Sequence, residues 1–463
     1  MTYLLFFLLA GGGVATVLQL LFQWRAVAGP RLREADRPPP GPANRPFLSV
    51  HLPACSEPPA LVIATIRSVL AQDFADYELL VIDNNTADGA LWRPVAHYCR
   101  DQARVRFFRV ARLGGYKAGA LNWLRARVDP RTTHVLTLDA DYRLRPGALR
   151  EVARAIRTYP GAALLQYPQA YRNGADAPGL RAEFRSFFSG YLSAAALGGR
   201  VLGTGTLSCV RLAALDGVGG WPTDSITEDA ALGLAFHRVD LATHYIDRRI
   251  GHGLMPTDPA GLRKQRHRWI FGNWQVLLRE RRRLRWTDWV QLTAWSNFLA
   301  PVLLAQGLAA VLALAGLPGP GAIFWAAALA VHAVFLLGRG AVFVRALAAA
   351  GRPGWLMHLT QTWAGAFAWL PALWGRRRPF VVTPKSGEAR PGWRQLDPRL
   401  ALLHGGTALA LAAAGAPVFA PAFLLLAGLH GYAQGSYLRS LRAAAAVPHH
   451  QQLFPKPSQS LAA

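Results

Sequence analysis

Cysteine and acidic residues are both scarce in this chain. The 463 residues include 3 cysteines, Cys55, Cys99 and Cys209, which are odd in number, widely spaced and form no Cys-x-x-Cys pair. This pattern supports neither a disulfide framework nor a zinc site. Asp and Glu number 26 against 51 Lys and Arg, which gives a net charge of +25. No nucleic-acid module accompanies this basic excess, so we predict that nucleic acid is not a partner.

Uncharged apolar segments explain the basic excess better. The hydrophobic fraction is 52% and the charged fraction is 17%, which is typical of a membrane protein with a large extramembrane part. Residues Tyr3–Trp24 carry no charge and are long enough to cross about 30 Å of hydrocarbon. Without a basic segment before it or a small-x-small site after it, this run predicts a membrane anchor rather than a cleaved signal peptide. Residues 1–24 are therefore expected to span the membrane, with membrane lipids as partners.

Charges beside the apolar segments predict their orientation. Arg25 and three further arginines follow the first segment, so the positive-inside tendency places the N-terminus outside and the next domain inside. Residues 25–46 contain Pro38-Pro39-Pro40 and predict a stiff linker.

Further apolar segments follow the extramembrane part. Residues 288–338 predict two membrane helices, with Trp289–Leu317 as the first, and residues 400–437 predict two more. Residues 356–374 mix aromatic and polar side chains, which favours a helix lying in the interface, with a true span as the alternative. The loop 375–398 and the tail 438–463 then lie inside. The sequence thus predicts five spans.

Between the first and second spans, residues 47–287 have the pattern of a soluble α/β domain. A helix is predicted at Ala60–Leu70. The predicted strands are Phe47–Pro53, Glu78–Ile82, Val105–Val110 and His134–Leu138. Short apolar strands that alternate with helices predict a mostly parallel sheet. Ligands of such sheets collect at the carboxyl ends of the strands, where Asp83 and Asp139 fall.

Three acidic motifs follow one another along this domain. Asp83 comes directly after a predicted strand, where an Asp is also a common turn former or helix cap. Asp139-Ala140-Asp141 follows another strand and offers the hard oxygen ligands that a divalent metal prefers. Thr227-Glu228-Asp229 either carries catalytic carboxylates or begins a helix, with Thr227 as its cap and both acids in its first turn.

Three further motifs are longer and therefore more specific. They are Gly114-Gly115-Tyr116-Lys117-Ala118-Gly119-Ala120-Leu121-Asn122, Gln265-Arg266-His267-Arg268-Trp269 and Phe380-Val381-Val382-Thr383-Pro384-Lys385. Taken alone, the first is also compatible with a glycine-rich turn before a helix. The second is compatible with an arginine-rich interface helix, and the third with a basic cytoplasmic connector.

In this order, the motifs resemble those of processive membrane members of inverting glycosyltransferase family 2, such as bacterial cellulose synthase catalytic subunits and curdlan synthases. The resemblance extends from about Phe47 to Lys385. It implies a GT-A-like α/β nucleotide-sugar-binding domain in the cytoplasm, fused to an α-helical transmembrane region of the bacterial inner membrane.

The resemblance also implies site residues. Asp229 would be the catalytic base, with Glu228 orienting it or the substrate. Asp141 would hold Mg²⁺ or Mn²⁺. The residues implied to bind the nucleotide sugar are Asp83, Lys117, Asp139, Arg268, Thr383 and Lys385. Those implied to bind the acceptor are Gln265, Trp269 and Thr204. The family often has two acids at the Asp83 position, and here Asn84 takes the second place.

The expected function is a processive inverting transfer of glucose from UDP-glucose to a growing β-glucan, which is moved across the membrane. One alternative is a non-processive membrane glycosyltransferase that makes a glycolipid, and another is a non-enzymatic scaffold or sensor subunit. The sequence leaves a periplasmic export partner and the oligomeric state open.

Overall fold

The computed structural model describes residues 1–30, 45–173, 177–256, 259–375 and 392–446. Most of the predicted linker 25–46 and the predicted loop with Thr383 and Lys385 lie outside these residues.

Helices and strands alternate in the first half of the chain, and helices alone form the second half. The strands are β1 (Phe47–Ala54), β2 (Tyr77–Asn84), β3 (Val105–Val110), β4 (Thr132–Thr137), β5 (Arg143–Leu144), β6 (Leu164–Gln166), β7 (Ser208–Arg211), β8 (Thr243–Tyr245) and β9 (Gly251–His252). The helices up to the end of the strands are α1 (Thr2–Ala28), α2 (Pro59–Leu70), α3 (Gly89–Arg100), α4 (Tyr116–Arg125), α5 (Ala148–Thr158), α6 (Pro178–Ser186), α7 (Ser193–Ala196), α8 (Leu212–Gly217) and α9 (Glu228–Arg238). The later helices are α10 (Pro259–Glu280), α11 (Trp286–Leu292), α12 (Ala300–Leu314), α13 (Ala322–Leu347), α14 (Gly351–Leu359), α15 (Thr362–Phe367), α16 (Leu370–Leu373), α17 (Arg399–Ala413) and α18 (Ala420–Ala446).

Seven strands of the described chain form one sheet in the order β3-β2-β1-β4-β7-β6-β8. The pairings β3-β2, β2-β1, β1-β4 and β6-β8 are parallel, whereas β7 runs antiparallel to both β4 and β6. The prediction of a mostly parallel sheet is confirmed. The helices cover its faces, and the residues of β2 are buried along the whole strand, as expected for a central strand of such a sheet.

Strand β1 runs one residue beyond the predicted stop at Pro53. Its pairing with β4 ends at His51, whereas its pairing with β2 continues to Ala54. Successive residues of a strand point their backbone groups to opposite sides, so the position without an N–H at Pro53 falls on the β4 side, where the ladder has already ended. Proline is therefore tolerated inside this strand.

Two helical stretches are long and apolar enough to cross a membrane, namely Thr2–Ala28 and Ala322–Leu359. Helices α12 and α17 are apolar but contain 15 residues each, which is about 22 Å of helix against about 30 Å of hydrocarbon. Of the five predicted spans, the described residues thus contain two that meet the length and hydropathy of a span.

The predicted single span Trp289–Leu317 is not one continuous helix, because the chain breaks between α11 and α12. Gln19 of α1 donates hydrogen bonds to the carbonyl oxygens of Thr293 (3.1 Å) and Ser296 (2.9 Å). Arg339 of α13 donates to the same Ser296 oxygen at 3.0 Å. These donors satisfy carbonyl groups that a continuous helix would have paired internally.

The predicted interface helix 356–374 is also wrong as a single helix. Its residues are divided among the end of α14, α15 and α16. The side chain of Thr360 donates to the carbonyl oxygen of Met357 at 2.6 Å, and such local bonds compete with helix propagation. Pro371 lies in the first turn of α16, where its missing N–H costs nothing.

Candidate active site

Lys117 lies at the start of α4, at the carboxyl end of the sheet. The turn before it needs glycine at position 115, where φ is +77°. The first turn of α4 also needs glycine, because a Cβ on Gly119 would collide with the carbonyl oxygen of Gly114. The Lys117 ammonium donates hydrogen bonds to Asp139 and to the carbonyl oxygen of Gly205, the latter at 2.6 Å. Burial alone would lower the pKa of Lys117, but the neighbouring carboxylates raise it above its ordinary value. Lys117 therefore stays cationic.

Asn122, the last residue of the same motif, positions the loop before α9. Its amide donates to the carbonyl oxygen of Trp221 at 2.8 Å, and its side-chain oxygen accepts from the Trp221 amide at 2.9 Å. This pair of bonds joins α4, which carries Lys117, to the segment that leads into Glu228.

Asp139 and Asp141 follow β4 at the sheet edge. The backbone amide of Asp139 donates to the Thr206 hydroxyl at 3.0 Å, and its carboxylate is the partner of Lys117. Asp141 is buried, and one of its carboxylate oxygens accepts from the Leu254 amide at 3.2 Å.

The donor chemistry at this edge fits a divalent ion that also binds phosphate. Within the described ranges, no group of three His, Cys, Asp or Glu side chains could enclose a metal. Mg²⁺ and Mn²⁺ complexes with nucleotides need only one or two protein carboxylates, since phosphate oxygens and water supply the other ligands. Asp139 and Asp141 provide two such carboxylates after the same strand.

Glu228 and Asp229 form the first turn of α9. The Asp229 carboxylate accepts a hydrogen bond from the Ala230 amide at 2.8 Å. Thr227 occupies the cap position, but its side chain makes no capping hydrogen bond, so the interpretation of Thr227 as a side-chain cap is wrong. Glu228 and Asp229 do lie in the first turn of the helix, as the helix-start interpretation predicts, where the helix dipole favours acidic side chains.

A glycine loop lies directly against Asp229. A Cβ on Gly205, whose φ is +83°, would come 3.1 Å from Asp229 Oδ2 and 3.4 Å from Lys117 Nζ. A Cβ on Gly203 would come 2.9 Å from the Asp229 carbonyl oxygen. Glycine at both positions therefore lets the loop approach the carboxylate, and Gly205 links Lys117 to Asp229.

Burial changes the acidity of both carboxylates. It raises the pKa of Glu228 to about 7, with the charge of Asp229 as a second cause and Lys117 in opposition. Burial likewise raises the pKa of Asp229, against the hydrogen bond from Ala230 and the charge of Lys117. A raised carboxylate pKa is what a general base that works near neutral pH requires.

Helix α10 places the Gln265–Trp269 motif beside these acids. A Cβ on Gly272 would come 2.7 Å from Ile226 Cγ1 and 2.7 Å from Thr227 Cγ2, so α10 packs closely on the start of α9. Burial lowers the pKa of the Arg268 guanidinium, while Glu228, Asp139 and Asp229 oppose that change through their charges. Arg268 thus shares one electrostatic environment with the three acids.

The predicted acceptor residues lie on neighbouring elements. Thr204 accepts hydrogen bonds from the Gln169 amide at its carbonyl (2.7 Å) and hydroxyl (3.1 Å) oxygens, and its own amide donates to Gln166 at 3.0 Å. Gln265 and Trp269 are half-buried on α10. The ring of Trp269 lies 5.9 Å from that of Trp295.

Asp83 lies at the same sheet edge, two strands away from β4. Thr86 donates to its carboxylate at 2.9 Å, and Arg109 lies 3.5 Å from the other oxygen. Burial raises the pKa of Asp83, and these two partners oppose the change. Two strand spacings separate Asp83 from the end of β4, which is about 10 Å. The structure therefore brings together Asp139, Lys117, Glu228, Asp229 and Arg268, with Asp83 at a distance.

Sequence reasoning missed a buried ion pair beneath this motif. Arg266 pairs with Glu183 of α6, and both side chains are 1% exposed. The Arg266 guanidinium also lies 3.6 Å from the centre of the Trp295 ring, and the Glu183 carboxylate accepts a hydrogen bond from His358 Nδ1 at 3.2 Å. Arg266 belongs to the recognised motif, whereas Glu183 carries no signal that separates it from an exposed helix residue.

Comparisons with known proteins identify two glycosyltransferase domain matches. Residues 49–207 match the model for glycosyl transferase family 2, and residues 134–341 match that for glycosyl transferase family group 2. The poly-beta-1,6-N-acetyl-D-glucosamine synthase of Staphylococcus epidermidis is 28% identical over 232 residues, which cover 49% of this chain and 55% of that protein. Cellulose synthase 2 of Novacetimonas hansenii is 26% identical over 324 residues, which cover 66% of this chain and 20% of that protein.

The fold has a counterpart among solved structures. A mannosyltransferase from Pyrobaculum calidifontis, in complex with GDP-Man and Mn2+, superposes with a TM-score of 0.50 at 18% identity. The match covers 81% of this chain and 99% of that one, and it confirms the GT-A-like α/β fold. The chain spans about half the length of the first curated relative that it matches, and a fifth of the cellulose synthase.

Proposed function

We propose that this chain, which contains glycosyltransferase family 2 domains, is a hexosyltransferase that polymerises a sugar from a nucleotide donor by a processive, inverting transfer. The donor in this proposal is UDP-glucose, the product is a β-glucan, and the chain is embedded in the bacterial inner membrane.

One observation carries the proposal. Lys117 bonds to both Asp139 and the Gly205 carbonyl, and Gly205 in turn lies against Asp229. These contacts hold the Lys117 ammonium, the Asp139 carboxylate and the Asp229 carboxylate, whose pKa is raised, within one small region. This is the set of groups that a displacement at a sugar phosphate needs.

The donor would lie along the carboxyl edge of the sheet. Asp83 would accept a hydrogen bond from the uracil N–H at one end. Asp139 lies about 10 Å away across two strand spacings. It would contact the ribose through the carboxylate oxygen that is not bonded to Lys117. Lys117 and Arg268 would bind the diphosphate, for which the planar guanidinium is well suited.

Asp141 would hold Mg²⁺ or Mn²⁺ beside the diphosphate. When bound, such an ion neutralises negative charge on the phosphate oxygens. The buried position of Asp141 and its hydrogen bond from Leu254 fix the direction of that carboxylate.

Asp229 would act as the general base. The oxygen of the acceptor hydroxyl attacks the anomeric carbon and forms a new carbon–oxygen bond. The hydroxyl proton passes to the Asp229 carboxylate. The bond between the anomeric carbon and the diphosphate oxygen breaks on the opposite face, so the configuration inverts and the nucleoside diphosphate leaves. Lys117 and Arg268 bind its charge as it departs, and Glu228 orients the acceptor or Asp229.

The acceptor would lie on the α10 side of Asp229. Trp269 would stack on the terminal sugar, and Gln265 and Thr204 would bind its hydroxyl groups. Thr383 and Lys385, which lie outside the described residues, would belong to a loop that excludes water from the loaded site. Exclusion matters because water would otherwise compete with the sugar hydroxyl.

The membrane region would carry the product outward. The apolar stretches Thr2–Ala28 and Ala322–Leu359 support an embedded chain whose catalytic domain faces the cytoplasm. The apolar helices α12, α17 and α18 would complete the membrane part beside them.

A second donor is favoured by one relative. The Staphylococcus epidermidis protein makes a poly-N-acetylglucosamine, as its name states, so UDP-N-acetylglucosamine is the alternative substrate. The alternative product is a glycolipid, formed by the transfer of a single sugar to a lipid.

The test is sugar incorporation by the purified full chain in lipid vesicles with Mg²⁺ or Mn²⁺. Radiolabelled UDP-glucose and UDP-N-acetylglucosamine would be supplied separately, and products sized and digested with linkage-specific hydrolases. Long polymer from UDP-glucose supports the proposal, whereas long polymer from the second donor changes the substrate. A short lipid-linked product contradicts processive synthesis.

A further inference from the structure

An arginine-rich cleft of about 930 Å³ lies outside the candidate active site, at the C-terminal end of α10. Five arginines line it, Arg238, Arg279 and Arg281–Arg283, together with the two carboxylates of Asp224 and Glu280. Its lining therefore carries a net of three positive charges. None of these residues takes part in the proposed transfer.

The two carboxylates are already paired. Arg279 lies 2.5 Å from Asp224 and 3.2 Å from Glu280, and Arg238 lies 3.2 Å from Glu280. Arg281, Arg282 and Arg283 are exposed, and no carboxylate in the described part of the chain pairs with them. The excess charge is thus concentrated in this arginine triplet.

The triplet lies close to the edge of the apolar region. Arg283 precedes Trp286 by three residues, so their Cα atoms are at most about 11 Å apart. The Arg25 guanidinium lies 4.5 Å from the Trp286 ring, and Arg25 is the first charged residue after the apolar part of α1. Headgroup layers are about 5 to 8 Å thick on each side of the hydrocarbon, which an arginine side chain near this level can reach.

We propose that this cleft binds the phosphate group of an anionic membrane phospholipid. Arginine forks bind phosphate oxygens in pairs, and cationic side chains at the cytoplasmic surface attract anionic lipids. Because α10 carries Arg268 about 18 Å before its end at Glu280, a lipid bound here holds the catalytic helix at a fixed level beside the membrane. The inference rests on the membrane placement in the proposed function, but it does not require turnover.

The experiment counts retained lipid. The full chain is reconstituted in nanodiscs of phosphatidylcholine with phosphatidylglycerol, extracted in mild detergent and examined by native mass spectrometry. The test variant is Arg281→Gln, Arg282→Gln, Arg283→Gln. The control variant, Arg93→Gln, Arg100→Gln, Arg150→Gln, removes the same charge from exposed positions of α3 and α5.

We expect the wild type and the control to retain phosphatidylglycerol in preference to phosphatidylcholine. In the test variant, the ratio of retained phosphatidylglycerol to phosphatidylcholine should fall about tenfold. Equal retention by the test and control variants would overturn the proposal. A charge-conserving variant, Arg281→Lys, Arg282→Lys, Arg283→Lys, should keep the retained lipid, which separates lost charge from lost structure.

A soluble phosphate compound is the competing ligand. If inorganic phosphate at millimolar concentration displaces the retained phosphatidylglycerol, the cleft is a site for a free phosphate and the lipid proposal is wrong. Because retention is measured without donor sugar, an inactive enzyme leaves this result unaffected, and a failure of the proposed transfer reaction can be told apart from a failure of the lipid site.

Discussion

Gly205 lies against the carboxylate of Asp229, so close that a Cβ on the glycine would come 3.1 Å from Asp229 Oδ2. The Gly205 carbonyl oxygen also accepts a hydrogen bond from Lys117 at 2.6 Å. One backbone position therefore sets the distance between the cation and the carboxylate of the candidate site.

Gly205→Ala should lower turnover, because the added methyl pushes Asp229 or Lys117 out of place. The control is Gly219→Ala, since Gly219 has nearly the same φ, +84°, and nothing lies within 4 Å of its Cβ position. Both variants should lose about 1 to 2 kcal/mol of unfolding free energy from the left-handed conformation, but only Gly205→Ala should lose about tenfold or more in kcat. Equal kcat values for the two variants would disprove the role given to this contact.

Gly272→Ala should weaken nucleotide-sugar binding by displacing α10. A Cβ there would come 2.7 Å from Thr227 Cγ2 and 2.7 Å from Ile226 Cγ1, so α10 must move away from α9 and take Arg268 with it. The effect should be a higher KM for the nucleotide sugar. The control is Gly406 inside α17, which is exposed and has nothing within 4 Å of its Cβ position, and Gly406→Ala should be neutral or stabilise by up to about 1 kcal/mol. An unchanged KM in Gly272→Ala would contradict the account.

Much of this arrangement could be predicted from the sequence, for reasons that are local. The two strands are short apolar runs, and Asp83 lies at the carboxyl end of β2 while Asp139 follows β4 closely. The break between α11 and α12 has one sequence signal, Pro301 in the first turn of α12, because proline disfavours helix continuation through the residues before it. The contacts of Gln19 and Arg339 that stabilise the break could not be predicted, because both residues are distant from it in the sequence. The same holds for Arg266 and Glu183, whose pairing depends on the packing of α10 against α6.

The stability of the fold should depend on pH through Glu228. Its pKa is about 7 when folded, against an ordinary value of 4.5, so the folded state keeps a proton that the unfolded chain releases. Stability from this group is present below about pH 4.5 and is lost as pH rises through about 7. Glu228→Gln should therefore raise the unfolding temperature above neutral pH and leave it unchanged in acid. Thermal unfolding on both sides of this range measures it, and an equal shift at every pH would exclude this mechanism.

Arg266→Ala should destabilise the protein strongly. It leaves the buried carboxylate of Glu183 without its main partner, and the loss of one partner of a buried pair costs about 3 to 5 kcal/mol. The control is Arg150→Ala, which breaks the exposed pair with Asp73 and should cost less than about 1 kcal/mol. Denaturant unfolding in detergent compares the two variants. Similar losses would mean that the buried pair does not stabilise α10.

The measurement that tests the central claim most directly is sugar transfer by Asp229→Asn at saturating nucleotide sugar, together with nucleoside diphosphate binding to the same protein. The control is Asp240→Asn, an exposed position with a φ of +53° that asparagine also adopts. If Asp229 is the base, its variant loses about 10²- to 10⁴-fold in kcat while nucleotide affinity and the control's activity stay unchanged. Retained transfer by Asp229→Asn would contradict the account.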